Sequence, residues 1–200
     1  MKKFELTSEF ITNISGTKLF RIKALVEFGN IKAGELGGYI EKEENLDQDG
    51  DAWVYGDAEV WGNAKVCGDA KVYGDAKVCG DAKVYGDAKV YGNAWVYGDA
   101  KVCGNAEVCG NARVCGNAEV CGNAKVCGNA DYAYAHGFGS EYRTTTFFRL
   151  RNGDVGVRCG CFYGTLQEFR DKVRATHKET KKAKEYLMLA DLMELRFAKE

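Results

Sequence analysis

The sequence predicts a mainly β protein built around a parallel β-helix, and three observations support this prediction. The hexad Gly-(Asp/Asn)-Ala-x-Val-x repeats 13 times without a break over residues 50–127. The chain contains 25 glycines and no proline, and the hexads account for 13 of those glycines. A six-residue period fits neither an α-helix nor a sheet of long strands, but it suits a solenoid in which three short faces close one coil. Eighteen residues per coil then give four to five coils.

Each position of the hexad has a predicted role. Alanine and valine lie two residues apart, so they point to the same side of a short strand, which we expect to be the inside. Glycine followed by Asp or Asn is expected to form the corner, because these residues tolerate left-handed backbone. The two remaining positions point outward. The first of them is mostly charged, which is typical of a solvated face.

The last hexad position forms ladders, because residues 18 apart stack on one face. One ladder contains Tyr55, Tyr73, Tyr91, Cys109 and Cys127, and Cys103 and Cys121 stack on a second face. Apolar stripes of this kind usually mark interfaces, so we expect a homo-oligomer, most simply a trimer. A metal array is the alternative interpretation, but a rigid six-residue interval supplies no tetrahedral zinc set, and we predict no metal and no cofactor.

Composition limits the partners and the compartment. Lys and Arg total 28 and Asp and Glu total 29, so the net charge of −1 gives no field for a nucleic acid polymer or an anionic membrane. No apolar stretch is long enough to span a bilayer, and the first residues turn acidic before a signal sequence forms. We therefore expect a cytoplasmic protein in which all nine cysteines are reduced thiols.

Three regions are predicted along the chain. Residues 1–37 form an N-terminal β cap, with a strand over residues 18–25 after a turn at residues 13–17. Residues 38–133 form the β-helix. Residues 134–200 form a β-hairpin followed by two helices.

The C-terminal hairpin has the strongest local signal. Asn152-Gly153 between two β-rich runs predicts a two-residue turn, which places Leu150 opposite Val155 and Phe148 opposite Val157 on one buried apolar face. A capping box at residues 165–168 predicts the first helix, and an apolar stripe predicts the second over residues 179–197.

The opposite face of this hairpin is the candidate binding surface. Arginine side chains bind phosphate in a bidentate manner and stack on aromatic rings, and on this face of the hairpin they alternate with phenylalanines. Glycine and serine just before the hairpin could add backbone N–H groups that hold an anion. The predicted ligand-binding residues are His136, Gly137, Ser140, Arg143, Thr145, Phe147, Arg149, Arg158 and Phe162.

The hexads resemble those of the left-handed β-helix in hexapeptide-repeat acyltransferases, which implies a left-handed coil, a trimer and ligand sites between subunits. Residues 20–25, 31–41 and 45–46 resemble the lead-in of hexapeptide-repeat proteins carried by bacteriophages and prophages. Residues 143–148, 159–166 and 168–169 resemble a C-terminal module that recurs in phage proteins. These similarities imply a phage origin and the same architecture.

Three functions follow from these observations. The first is a non-catalytic protein that binds an anionic, nucleotide-like small molecule, such as a sponge for a host immune messenger. The second is an acyltransferase that uses acyl-CoA with His136 as the general base, the hexads themselves containing no histidine. The third is a structural rod, for which near-identical hexads are sufficient.

Overall fold

A computed structural model describes residues 2–198 of the chain, and a parallel β-solenoid forms its central part. The solenoid strands are two residues long and lie at Trp53–Val54 (β4), Glu59–Val60 (β5), Lys65–Val66 (β6), Lys71–Val72 (β7), Lys77–Val78 (β8), Lys83–Val84 (β9), Lys89–Val90 (β10), Trp95–Val96 (β11), Lys101–Val102 (β12), Glu107–Val108 (β13), Arg113–Val114 (β14), Glu119–Val120 (β15) and Lys125–Val126 (β16).

These strands form three parallel sheets, one for each face. Their orders are β5-β8-β11-β14, β4-β7-β10-β13-β16 and β6-β9-β12-β15, so each strand pairs with the one three positions later. The paired residues are 18 apart, as in Val72 with Val90. The predicted period, three-sided coil and number of coils are confirmed.

The solenoid interior is built from alanine and valine, as predicted. Every hexad alanine and valine from Ala52 to Val126 is fully buried. The corners require glycine because the backbone there has positive φ and because there is no room for a Cβ atom. Gly80 has φ 70°, and a Cβ on it would lie 3.0 Å from the backbone nitrogen of Gly98 in the next coil. Backbone corners therefore stack in direct contact.

An antiparallel hairpin covers the first coil. It consists of Phe4–Thr12 (β1) and Lys18–Ala24 (β2), and Leu36–Ile40 (β3) joins it to the solenoid by pairing in parallel with β5. The side-chain oxygen of Asn13 accepts hydrogen bonds from the N–H groups of Ser15 and Thr17, which closes the predicted turn. Phe4 packs edge-on against Trp53 with ring centroids 6.2 Å apart. The solenoid core thus continues into the hairpin.

The C-terminal module, residues 132–198, covers the last coil. Its four-stranded antiparallel sheet has the order Tyr132–Ala135 (β17), Thr145–Arg149 (β18), Val155–Cys159 (β19), Phe162–Thr165 (β20). Two helices follow, Leu166–His177 (α1) and Lys181–Phe197 (α2). The predicted capping box is present, because the Thr165 side chain accepts from the N–H of Glu168 and the Glu168 carboxylate accepts from the N–H of Thr165. The second helix begins two residues later than predicted.

The predicted hairpin register is wrong by one residue. Phe148 lies opposite Gly156 and Phe147 opposite Val157, since the loop has three residues, 151–153, rather than two. The Asn152 side chain caps this loop by accepting from the N–H of Asp154, and Gly153 takes φ 91°. The shift exchanges the two faces of β18.

Both faces of this sheet are buried, which the sequence interpretation did not anticipate. Phe148 is fully buried and faces the solenoid core, and Leu150 bridges to Ala124 of the last coil. Phe147 is also fully buried, but it lies in the cluster formed with α1 and α2. The sheet is therefore sandwiched between the end of the solenoid and the helices.

The expectation that all nine cysteines are reduced is wrong for one pair. Cys109 and Cys127 form a disulfide between adjacent coils, with Cα atoms 4.3 Å apart. The coil spacing brings stacked cysteines within the Cα separation that a disulfide spans. The other seven cysteines are free. Neither α1 nor α2, the α-helices of the part of the chain described, is long and apolar enough to cross a bilayer.

Candidate functional site

A cleft of about 730 Å³ lies between one face of the solenoid and the C-terminal module. We call it the basic cleft. The solenoid side is the face formed by β6, β9, β12 and β15, and the module side comes from the loop after β17 and from the β19–β20 turn. Its lining residues are Asn63, Lys65, Asp81, Lys83, Asp99, Lys101, Asn117, Glu119, His136, Arg143, Thr144, Arg158 and Gly160.

The floor of the basic cleft contains a row of lysines. Lys65 pairs in register with Lys83, and Lys83 pairs with Lys101, so the three side chains leave adjacent strands at the same level. Adjacent strands are about 4.8 Å apart. Like charges at this spacing repel one another, and an anion placed between them relieves that repulsion.

Glu119 continues the row and ties the module to the solenoid. Its carboxylate accepts from the Nζ of Lys101 at 2.8 Å and from the Nε of Arg158 at 3.0 Å. Its backbone N–H donates to the Thr146 hydroxyl at 3.0 Å. Partial burial opposes ionisation, but the hydrogen bonds from Lys101 and Arg158 outweigh it and hold the pKa of Glu119 below its ordinary value. The carboxylate therefore stays charged at neutral pH.

Three other cations in the basic cleft have no such partner. Within residues 2–198, the side chains of Lys65, Lys83 and Arg143 form no ion pair shorter than 4.0 Å, and all three are exposed. Arg143 lies over Gly160, where an added Cβ would come within 2.8 Å of its guanidinium nitrogen Nη1. The glycine leaves room for the arginine at the rim of the cleft.

His136 is the one histidine at the cleft. It is exposed, and its Nδ1 lies 2.9 Å from the hydroxyl of Thr144, which orients the ring. No carboxylate holds this ring among the described residues, so its one polar partner is a neutral hydroxyl. The arrangement suits hydrogen bonding to a ligand.

The structure brings together three of the nine predicted ligand-binding residues: His136, Arg143 and Arg158 all line the basic cleft. The two phenylalanines do not, because Phe147 is buried beneath the helices and Phe162 packs on Phe169 at 5.5 Å between centroids. Neither phenylalanine is therefore placed to contact a ligand in the basic cleft.

Two further predicted residues also point away from the basic cleft. Arg149 lies on the helix side of the sheet, where it donates to the carbonyls of Gly153 and Phe197 at 3.0 and 2.9 Å. Thr145 is buried and donates to the sulfur of Cys159 at 3.2 Å. The one-residue register shift moves both residues to the face opposite Arg158.

The N–H groups of the loop that was predicted to hold an anion, at Gly139 and Ser140, bind side chains of the protein itself. The N–H of Gly139 donates to the carboxylate of Glu185 at 2.8 Å, and the N–H of Ser140 donates to the hydroxyl of Tyr186 at 3.1 Å. Gly137 is exposed with φ 86°. The loop does hold an anion, but that anion is the protein's own Glu185, which fixes the segment carrying Arg143.

The lysine row is the part of the site that sequence reasoning missed. From the sequence alone, the charged hexad positions are typical of a solvated face. The 18-residue spacing of Lys65, Lys83 and Lys101 was the signal, since it puts three lysines on consecutive coils. Lys71 and Lys89 stack in the same way on another face. Only the position of the C-terminal module distinguishes the two rows.

No three His, Cys, Asp or Glu side chains of residues 2–198 are arranged to hold a metal ion. A scan against protein-family models finds no match, and a search of curated protein sequences finds none either.

Proposed function

We propose that the protein binds a small anionic, nucleotide-like molecule in the basic cleft and does not turn it over. The observation that carries this proposal is the convergence of three unpaired cations, Lys65, Lys83 and Arg143, on one cleft of about 730 Å³. Lysine ammonium groups bind phosphate as point charges, and a guanidinium adds a planar, bidentate contact. The volume lies in the range of small-molecule sites.

The remaining lining favours a nucleotide over a simple inorganic anion. Asp81, Asp99, Asn63 and Asn117 border the lysine row from the coil corners and carry oxygens that accept hydrogen bonds. Inorganic phosphate offers few donors to such groups, whereas ribose hydroxyls and base amino groups offer several. A ligand with phosphates at one end and a nucleoside at the other satisfies both kinds of group. Arg143 supplies a planar surface on which a base can stack.

A binder without turnover acts by lowering the free concentration of its ligand. The similarity of the N- and C-terminal segments to phage proteins suggests a phage protein in the host cytoplasm that sequesters an immune signalling nucleotide. We propose this role as the biological use of the basic cleft. The fraction of ligand removed from solution would depend on the protein concentration and on the affinity, and no catalytic group would be needed.

We also propose that the protein is a homotrimer. Outside the basic cleft, Tyr55, Tyr73 and Tyr91 form a partly exposed ladder, with Tyr73 and Tyr91 stacked at 4.9 Å. Light scattering of the purified protein at micromolar concentration is expected to give about three times the 22.0 kDa chain mass. A monodisperse 22.0 kDa species would rule out the trimer and leave the basic cleft to be tested as a site within one chain.

Calorimetric titration tests the binding proposal directly. The probes are 3′,3′-cyclic GMP-AMP, cyclic di-AMP and ADP-ribose, with inorganic phosphate as the simple anion. We expect at least one nucleotide to bind more tightly than inorganic phosphate and to be recovered unchanged after denaturation. If none of the three nucleotides binds more tightly than phosphate, the nucleotide proposal is wrong, and a structural rod becomes the better interpretation.

Replacing His136 separates binding from catalysis, because the histidine lies in the same cleft as the cations. In a binder, His136→Ala removes one hydrogen-bonding group and should weaken nucleotide affinity by less than about tenfold. In an acyltransferase that uses His136 as general base, turnover of acetyl-CoA should fall by about 10²–10⁴-fold. We expect the first result and no acetyl-CoA turnover by the wild-type protein. Turnover that depends on His136 would establish the enzyme.

A further inference from the structure

Two cysteines and a tyrosine stack on consecutive coils beside the basic cleft. The residues are Tyr85, Cys103 and Cys121, each following a strand of the β9-β12-β15 sheet. The N–H of Tyr85 donates to the carbonyl of Val102, and the N–H of Cys103 donates to that of Val120, both at 3.0 Å. Cys103 is partly exposed, whereas Cys121 is buried. Among the seven free cysteines, only these two occupy equivalent positions on adjacent coils.

The side chains around Cys103 favour its thiolate. The neighbouring Cys121 thiol and Tyr85 hydroxyl, with the positive charge of Arg158, lower the pKa of Cys103 to about 6, against burial and the charge of Glu119. The same contact with Cys103, together with burial, raises the pKa of the Cys121 thiol. Cys103 is therefore the sulfur of this pair that loses its proton first, and it is also the more exposed of the two. Arg158 is held in place by Glu119 at 3.0 Å.

A neighbouring pair shows what this coil geometry allows. Cys109 and Cys127 have the same 18-residue separation and the same hexad position, and they are joined by a disulfide. Val108 pairs with Val126 just as Val102 pairs with Val120. Adjacent strands place Cα atoms about 4.8 Å apart, within the range that disulfides span. Cys103 and Cys121 can therefore be joined without unwinding a coil.

We propose that Cys103 is a nucleophilic modification site for hydroperoxides, with Cys121 as its resolving partner. The Cys103 thiolate attacks the peroxide O–O bond, giving Cys103 sulfenic acid and releasing hydroxide, or alkoxide from an organic hydroperoxide. The Cys121 thiol then attacks the sulfenic sulfur, which forms the disulfide and releases water. Two thiol sulfurs are oxidised and one peroxide is reduced. This proposal does not rest on nucleotide binding, although Arg158 and Glu119 belong both to the basic cleft and to the surroundings of Cys103.

The first test compares Cys103 with cysteines at the same hexad position in the same molecule. Cys67 and Cys79 are partly exposed, but burial raises their thiol pKa values. Limiting iodoacetamide is added to the whole protein at pH 5 to 8, and fragmentation spectra of the peptides assign the modified sulfur. At pH 6 we expect Cys103 to react at least about tenfold faster than either control.

The pH profile makes this test independent of accessibility. The rate at Cys103 should level off above about pH 7, whereas the rates at Cys67 and Cys79 should keep rising about tenfold per pH unit up to pH 8. Tyr85→Phe removes the neighbouring hydroxyl that favours the thiolate and should move the midpoint of the Cys103 pH profile upward. A Cys103 rate that rises through pH 8 like the controls would show that this sulfur is an ordinary thiol, and the proposal would fail.

The second test follows oxidation. After treatment with stoichiometric hydrogen peroxide, peptide mapping without reductant should find Cys103 joined to Cys121 and the Cys67 and Cys79 thiols intact. In Cys121→Ser the reaction should stop at sulfenic acid, which dimedone traps at Cys103. If the Cys121→Ser protein does not fold, Cys121→Ala should likewise stop the reaction at Cys103 sulfenic acid. Oxidation of Cys67 or Cys79 ahead of Cys103 would overturn the proposal.

Discussion

Replacing Arg143 and Lys83 together with alanine is expected to weaken nucleotide binding by about 10²–10⁴-fold. Each side chain is an unpaired cation of the basic cleft. A charge-assisted hydrogen bond contributes about 1.5–3 kcal/mol, so loss of each should reduce affinity by roughly tenfold to a hundredfold. The two residues approach the ligand from opposite walls, one from the module and one from β9. Calorimetric titration with the nucleotide that binds the wild-type protein measures the effect.

A variant with the same change in charge provides the control. Lys89 occupies the equivalent hexad position on another face, and Arg174 lies exposed on α1 with Asp171 as its ion-pair partner. Lys89→Ala with Arg174→Ala should leave nucleotide affinity within about threefold of wild type, because the net charge is a weak long-range effect at physiological salt. Equal losses in the two double variants would mean that binding follows overall charge, and the basic cleft would not be the site.

The solenoid could be predicted because its information is local and repeated. Each hexad independently specifies an inward alanine and valine and a glycine corner, and 13 copies agree. The burial of Ala52 and Val126, at the two ends of the array, follows the same rule as that of the hexads between them. A single misread hexad could not have changed the prediction.

The C-terminal sheet was harder to predict because it depends on what covers it. Asn152-Gly153 is a strong turn signal, but it does not decide between a two-residue and a three-residue loop. Side chains alternate between the two faces of a strand, so an error of one residue in the hairpin register exchanges the faces. For this reason the sequence places Phe147 and Arg149 on the binding surface. The solenoid and the helices bury both sheet faces, so apolar patterning could not correct the error.

The candidate site was only partly predictable for a related reason. His136, Arg143 and Arg158 were identified by residue type in one segment of the chain. Their partners, Lys83 and Lys101, come from coils far away in sequence, and lysine rows occur on more than one face of the solenoid. The pairing of the module with the β15 face depends on contacts such as Arg158 with Glu119, 39 residues apart. Local sequence patterns therefore do not predict which face of the solenoid the C-terminal module packs against.

Phe148→Ala is expected to destabilise the C-terminal module by about 3–5 kcal/mol. Phe148 is fully buried in the solenoid core cluster, where it covers the end of the last coil. Its removal leaves a cavity between β18 and the solenoid and weakens the contact that closes an otherwise open strand edge. Hydrogen exchange of the β18 and β19 amide groups measures the opening free energy directly.

Phe138→Ala is the matched control, because Phe138 belongs to the same module and its side chain is 45% exposed. It should change the same opening free energy by no more than about 0.5 kcal/mol. The β18 and β19 strands hold Arg158 and the turn beneath Arg143, so Phe148→Ala should also weaken nucleotide binding while the solenoid valines stay protected. A Phe148→Ala protein with wild-type exchange at β18 would show that the module is held by its helices and by the Glu119 ion pair. In that case Glu119→Gln, which removes the charge that attracts Arg158, should produce the larger opening.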